Sequence, residues 1–258
     1  MKKRITFLRI LVLSFLIVGL SSLTLKLGKE KYVQIDKKLF ASRYEVTNTE
    51  FREFLYSVRE TDKNQFEKLQ YDSSQWLKKF PYAYNEPLLN FYHWHPAYDD
   101  YPVVNITRET AEAYCKWLST KYDKSFRKKF KKVLFRLPTE NEWIALSGVG
   151  KNKLPWSGNT AFENKTIMAN IKAHQGTNND VDYKFDGNIY TSRVGSFKAN
   201  QFGLYDVVGN AYEITQSGVQ KGGSWDSFIE ECTADQTQKF DLPDPRVGFR
   251  VVMEVVVE

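Results

Sequence analysis

At 258 residues, with 42% hydrophobic and 15% aromatic content, the chain is long enough to bury a sizeable core and too apolar to be disordered. Its formal charge of +6 is unevenly placed: residues 1–38 hold nine Lys/Arg against Glu30 and Asp36, which leaves −1 for residues 39–258. The positive charge belongs to the N-terminal tail, so a basic domain that binds nucleic acid is excluded.

Residues 1–25 read as a signal peptide or N-terminal anchor, because Lys2, Lys3 and Arg4 precede an uncharged run from Ile10 to Leu25. That run would make about 24 Å of helix against a hydrocarbon core of about 30 Å, which favours a cleaved leader over a membrane span. Gly19–Leu20–Ser21 supplies a small-x-small cleavage site, and the absence of any cysteine before Cys115 rules out a lipidated N-terminal cysteine. The chain is therefore expected to be exported, periplasmic or held at the membrane by this segment, in a compartment where disulfides persist.

Residues 26–38 follow as an extended polar lead-in, and residues 39–258 as one domain. In "RYEVTNTEFREFLYSVRE" (43–60), Tyr44 and Val46 alternate as in a strand, and Phe51, Phe54 and Leu55 then repeat at helical spacing behind a cap at Thr47 or Asn48. Residues 61–100 are polar and aromatic with scattered Pro and Asn, which predicts a long loop region. "YPVVNITRETAEAYCKWLSTKY" (101–122) predicts a strand, a cap at Thr107 and a helix burying Ala111, Tyr114, Cys115 and Leu118. Seven basic residues between 121 and 132 read as a solvated helix end. "FRLPTENEWIALSG" (135–148) predicts a strand end and a helix opening at Pro138–Thr139, with acids in its first turn. Beyond Val149 helical periodicity stops, and loops with short strands are expected. So much irregular chain needs fixing by a metal, a disulfide or a dense aromatic core.

Four stretches, taken in order, carry a resemblance: "RYEVTNTEFREFL", "YPVVNITRETAEAYCKWL", "RLPTENEW", and "FGLYDVVGNAYE" leading to "KGGSWDS" and "VGFRVV". Together they resemble the formylglycine-generating enzyme, or sulfatase-modifying factor, family over roughly residues 39–253. The resemblance implies a single α+β domain of modified C-type-lectin-like topology, poor in regular secondary structure. It also implies two structural calcium ions. The matching positions are Asp206, the carbonyls of Gly209 and Ala211, and Glu213 for one, and Asn170, the carbonyl of Ile171, Asp186 and the carbonyl of Asn188 for the other. Calcium takes six to eight hard oxygens in flexible geometry, which such side chains and loop carbonyls supply.

Active members of the family oxidise a sulfatase cysteine to formylglycine with copper(I), held between two cysteine thiolates five residues apart. In "GGSWDSFIEEC" those positions are Ser227 and Cys232. A serine hydroxyl is a hard, weak donor and cannot replace a thiolate for a soft monovalent metal. Copper is accordingly not expected, and Ser227 marks a replaced catalytic position. Cys232 then has three readings: paired with Cys115 in the disulfide that the family implies, one of two separate buried thiols, or a reactive thiol. Further departures are Ile214 where active members carry a tryptophan after "GNxxE", and a loop after Cys232 without the usual arginine pattern.

"FYHWHPAYDDYP" places His93 and His95 two apart, which on a strand would face one side, and His174 is the only remaining histidine. An aromatic hydrogen-bonding loop is the better reading than a metal site. The lead-in "HPAYxDYPVV" also looks like the gliding-motility and secretion-associated envelope branch of the family. The chain is thus expected to be an exported, calcium-stabilised family member that no longer oxidises cysteine. It would bind an envelope protein or peptide partner along a groove lined by Trp225, Ser227 and the 88–101 loop. A working formylglycine-generating oxidase and a glycan-binding lectin-like module are the alternatives.

Overall fold

The computed structural model describes residues 31–83, 86–126, 128–148, 154, 162–163, 166–175, 180–182 and 186–258. The expected leader, residues 1–25, lies outside them. Among the described residues no helix is long and apolar enough to cross a membrane.

The first described elements are strands β1 (Tyr32–Gln34) and β2 (Leu39–Ser42), an antiparallel hairpin with Tyr32 opposite Ser42. Part of the expected lead-in is therefore sheet. Lys37 and Lys38 at the turn hide the apolar faces of these short strands from a hydropathy reading. Helix α1 (Asn48–Thr61) begins at Thr47, whose side chain accepts from the Glu50 amide while the Glu50 carboxylate accepts from the Thr47 amide. The helix buries Phe51, Phe54, Leu55 and Val58 on one stripe.

Residues 61–100, expected as loop, carry α2 (Lys63–Lys68), α3 (Gln75–Lys79) and α4 (Pro87–Phe91), then a single 3₁₀ turn at Pro96–Tyr98. Helices of five or six residues span less than two turns, too few for a periodic stripe to show in the sequence. What fixes them is aromatic packing: Trp76, Leu88 and Tyr92 are buried in one cluster with Val104, Ala211 and Trp225.

Helix α5 (Arg108–Asp123) starts at Thr107 and buries Ala111, Tyr114, Cys115 and Leu118, as its spacing predicts. Strand β3 (Lys132–Arg136) follows a basic turn in which Lys124, Lys128, Lys129 and Lys131 are exposed. Helix α6 (Glu140–Ser147) carries a second reciprocal cap between Thr139 and Glu142 and stops at Gly148, φ +77°. After it come short pieces only: β4 (Phe162–Glu163), β5 (Thr166–Ile167), β6 (Ala173–Gln175), β7 (Asp180–Asp182), β8 (Tyr212–Ile214), β9 (Val219–Lys221), β10 (Gln238–Lys239) and β11 (Val247–Gly248). The longer β12 (Val252–Val257) closes the series.

Two four-stranded sheets organise the described residues, beside the two-stranded pairs β4–β5 and β6–β7. One runs β1-β2-β12-β3, antiparallel throughout, and the other β10-β9-β8-β11, with β8 and β11 parallel. The aromatic core built on Phe51, Phe54, Tyr114, Phe135 and Phe249 packs α1 and α5 on the first sheet. A second cluster around Leu146, Leu204, Val207 and Val252 contains Cys232. Burying each such side chain stabilises by roughly 1.5–3 kcal/mol, which lets short elements hold without regular hydrogen-bond ladders.

Candidate functional site

After β9 the chain turns through Gly222 and Gly223, with φ of +93° and +76°. A Cβ on Gly223 would fall 2.1 Å from the Cys232 sulfur, so backbone and thiol touch and only glycine fits. Cys232 ends a one-turn 3₁₀ helix (Ile229–Cys232), is 1% exposed, and donates from Sγ to the Phe228 carbonyl at 3.3 Å. Burial pushes its thiol pKa up, with Glu231 and Glu230 adding to the effect. A reactive thiolate needs the reverse environment.

Ser227 lies in the same corner and is also buried. Its hydroxyl donates to the Tyr212 hydroxyl at 2.8 Å, accepts from the Ser224 amide at 3.2 Å and stands 3.1 Å from the Ser224 hydroxyl. Three hydroxyls in series satisfy one another where a thiolate pair would be required. The donor set does not fit copper(I), which asks for two soft sulfurs.

The disulfide implied by the resemblance is not made. Cys115 and Cys232 are both free and buried, and they sit in different hydrophobic clusters, Cys115 among the aromatics of α1 and α5 and Cys232 beneath the Gly222–Gly223 turn. Of the three readings, two separate buried thiols matches the structure.

Trp225 does not line an open groove either. It is 3% exposed, its indole N–H donates to the Pro245 carbonyl at 3.2 Å, and its ring stacks on Phe80 with centroids 5.7 Å apart. The 88–101 segment does pack around it through Leu88 and Tyr92, as wall and not as mouth. The accessible rim is next door. Asp226 there receives Lys79, Lys172 at 3.6 Å and Arg246 at 3.9 Å, with the Lys79 ammonium 5.3 Å from the Trp225 ring centre.

Beneath the corner lies a buried ionic cluster that the sequence did not disclose. Arg250, fully buried, donates to Glu213 from Nε at 2.9 Å and Nη2 at 2.6 Å, and Trp143 Nε1 donates to the same carboxylate at 2.8 Å. Glu45, 1% exposed, accepts from Asn210 Nδ2 at 3.0 Å. Burial, then the Asp206 charge, raises the Glu45 carboxyl pKa well above its ordinary value. "YEVTN" and "VGFR" each carry one charged residue flanked by apolar ones, which was the available signal for Glu45 and Arg250.

This cluster bears directly on calcium. Glu213, expected as a ligand with Asp206 and the carbonyls of Gly209 and Ala211, has both carboxylate oxygens occupied by Arg250 and Trp143. A second cation against the same oxygens would face the guanidinium at contact distance, so this set does not fit the ion as expected. Asp206 Oδ2 accepts from the Gly195 amide at 2.5 Å, and its Oδ1 is buried without a partner.

The other set does fit. Asn170 is 1% exposed and its Oδ1 has no partner, while its Nδ2 donates to the Tyr190 carbonyl and to Asn210 Oδ1. Asp186 accepts from the amides of Ile171 at 3.0 Å and Asn188 at 2.9 Å, which bring the side chain to the same strand of backbone. Each of its oxygens keeps a lone pair for a metal.

His93 and His95 do not act together. His93 and His95 sit in a turn and not on a strand: His93 is buried and stacked on Tyr71 with centroids 3.9 Å apart, whereas His95 is exposed and accepts from the Ala97 amide. His174 is on β6 opposite Val181.

Mixed helices and short strands in two layers, with a glycine turn closed over a buried thiol, define a single-domain α+β protein of the formylglycine-generating-enzyme type. The chain belongs to the sulfatase-modifying factor enzyme 1-like domain family, whose model matches residues 23–255. It is 35% identical over 170 residues to the inactive C-alpha-formylglycine-generating enzyme 2 of Bos taurus, covering 58% of this chain and 50% of that protein. It is 34% identical over 151 residues to the formylglycine-generating enzyme of Thermomonospora curvata, covering 58% and 42%. The chain thus aligns with half or less of the length of these curated relatives. Among solved structures it is similar in fold to PvdO from Pseudomonas aeruginosa, with a TM-score of 0.53 at 20% identity over 84% of this chain and 80% of that one. It is similar also to Treponema denticola variable protein 1, with a TM-score of 0.52 at 18% identity over 87% and 91%.

Proposed function

We propose that this protein is a family member without cysteine-oxidase activity, exported and calcium-stabilised, that serves as a binding or assembly module at the bacterial cell envelope. The observation that carries the reading is the Ser224–Ser227–Tyr212 hydroxyl chain, which fills the position of the first metal-binding thiolate. The second thiol is sealed under Gly223. A relative of comparable similarity is itself described as inactive.

Calcium would be held by Asn170 Oδ1, the Asp186 carboxylate and the carbonyls of Ile171 and Asn188. Bound there, the ion supplies positive charge that ties irregular loops together. The protein's own part is to hold Asp186 in place with the Ile171 and Asn188 amides and to present an uncommitted amide oxygen from Asn170. The partner-facing surface is the rim around Asp226, where Lys79, Lys172 and Arg246 converge beside Phe80. An envelope protein or peptide segment suits its mixture of paired charge and aromatic edge.

The test is a copper(I) titration against a chromophoric chelator, run beside an assay for conversion of a cysteine peptide. No tight metal binding and no aldehyde product are expected. Tight binding that disappears in Cys232→Ala, or turnover of the peptide, restores the oxidase.

A further inference from the structure

Away from the 222–232 corner, the turn between α5 and β3 holds seven Lys/Arg between residues 121 and 132, against Asp123 as the one acid. Lys124, Lys128, Lys129, Lys131 and Lys132 are all exposed. Among the described residues none of these five is ion-paired, whereas Lys121, just before them, pairs with Glu53. In their midst stands Phe126, its ring fully exposed to water.

The turn is fixed to the fold. The Tyr122 hydroxyl accepts from the Phe130 amide at 2.9 Å and donates to its carbonyl at 3.1 Å, and the Phe130 ring packs on Phe40 with centroids 5.5 Å apart. The Lys129 ammonium lies 5.3 Å from the centre of the Phe40 ring, which brings the turn against β2. The basic surface continues across the end of the first sheet. The Val255 amide donates to the Lys38 carbonyl at 2.8 Å, Val255 is paired with Val133, and Val257 with Lys132. Strands about 4.8 Å apart therefore set the backbones of Lys38 and Lys132 about 10 Å from each other, one on each side of β12. Exposed Lys37 and Lys38 join the five lysines there, with the exposed apolar side chains of Val256 and Val257 between them. Asp36, Asp123 and Glu258 offset part of this charge and leave the lysines in excess.

We propose that this face docks on an anionic phospholipid membrane, its lysines against the headgroups and Phe126 inserted at the interface. Each lysine near a negatively charged bilayer adds to the attraction, and an aromatic ring beside such a cluster gains a half-apolar layer to enter. A soluble polyanion would satisfy the lysines but leave Phe126, Val256 and Val257 in water. A protein partner fits less well, because lysine is depleted from protein interfaces, where its hydrated ammonium and mobile stem are costly to fix. The face shares no residue with the Ser227–Cys232 corner or the Asp226 rim, so it stands or falls independently of the loss of oxidase activity.

The test places an environment-sensitive dye on the full chain through Phe126→Cys; Cys115 and Cys232 are buried, so the native protein takes label at position 126 alone. The labelled protein is titrated with vesicles of phosphatidylglycerol mixed with phosphatidylcholine, with vesicles of phosphatidylcholine alone, and with heparin. A saturable blue shift is expected on the mixed vesicles, absent on the neutral ones and reversed by high salt. Adding Lys124→Gln, Lys128→Gln and Lys131→Gln should weaken it at least about tenfold with the melting temperature near the parent's, since all three side chains are exposed. An equal shift on neutral vesicles overturns the proposal and assigns the attachment to the apolar run at residues 10–25. Heparin binding without a shift on vesicles overturns it in favour of a soluble polyanion. No shift on any vesicle, or a shift indifferent to the three substitutions, overturns it as well.

Discussion

Arg250 places a guanidinium where no water reaches it, and the carboxylate of Glu213 is the reason it stays. Removing one partner of a buried pair strands the other, so Arg250→Met should lower unfolding stability by about 3–5 kcal/mol in a denaturant titration. Adding Glu213→Gln to that variant should recover part of the loss, and strict additivity of the two would mean that they do not act as a pair. His93 makes a second residue-level prediction. Burial, with Arg52 nearby, lowers its pKa from 6.5 to about 3. Between those values the unfolded chain takes up a proton that the folded chain refuses, so His93 stabilises fully above about pH 6.5 and progressively less as pH falls. Glu45 and Asp206, raised by burial, work in the opposite sense, so the measurement is the difference between the parent and His93→Gln. That difference should shrink on acidification at up to about 1.4 kcal/mol per pH unit, and a pH-independent difference would refute the assignment. At this scale the sequence was partly legible. It showed that position 227 carries the wrong donor atom, but not that Trp225 and Ser227 are interior, because burial in an irregular loop leaves no periodic trace.

Among the elements, α1, α5 and α6 could be read directly, since each has a threonine cap, and α1 and α5 also carry apolar residues at helical spacing. The caps of α1 and α6 are reciprocal. Thr139→Ala should therefore cost about 1 kcal/mol of stability, visible as a lower chemical midpoint with an unchanged slope. A Thr139→Ser variant, which keeps the hydroxyl, should lose much less. By contrast α2, α3 and α4 were invisible, being held by Trp76, Leu88 and Tyr92 across the chain and not by their own repeat. β1 and β2 were hidden for a related reason, as three- and four-residue strands offer at most two alternations.

For the whole molecule, the two thiols and the Asn170–Asp186 site give the sharpest tests. Both cysteines lie in separate cores, so a water-soluble maleimide should leave the native protein unlabelled and modify two sites after unfolding without reductant. An unreduced mass two hydrogens lower would instead restore the disulfide. Chelation of calcium should lower the melting temperature, and Asp186→Asn should lower it in calcium while abolishing the response to chelator. A melting temperature indifferent to both removes calcium from the account. The overall architecture was foreshadowed by the ordered motifs, and so was the neighbourhood of Asp206 and Glu213, whereas their meeting with Glu45 and Arg250 was not, because the members lie up to 205 positions apart and meet only in three dimensions.

The central position of β12 has a consequence for how this chain comes into being. Between β2 and β3 stands the segment that leaves the ribosome after every other described strand. Until it arrives, the β1–β2 hairpin and β3 have no strand to join them, and the sheet beneath the aromatic interior stays in two pieces. The four-stranded sheet of this chain can therefore close only once its last strand has been made.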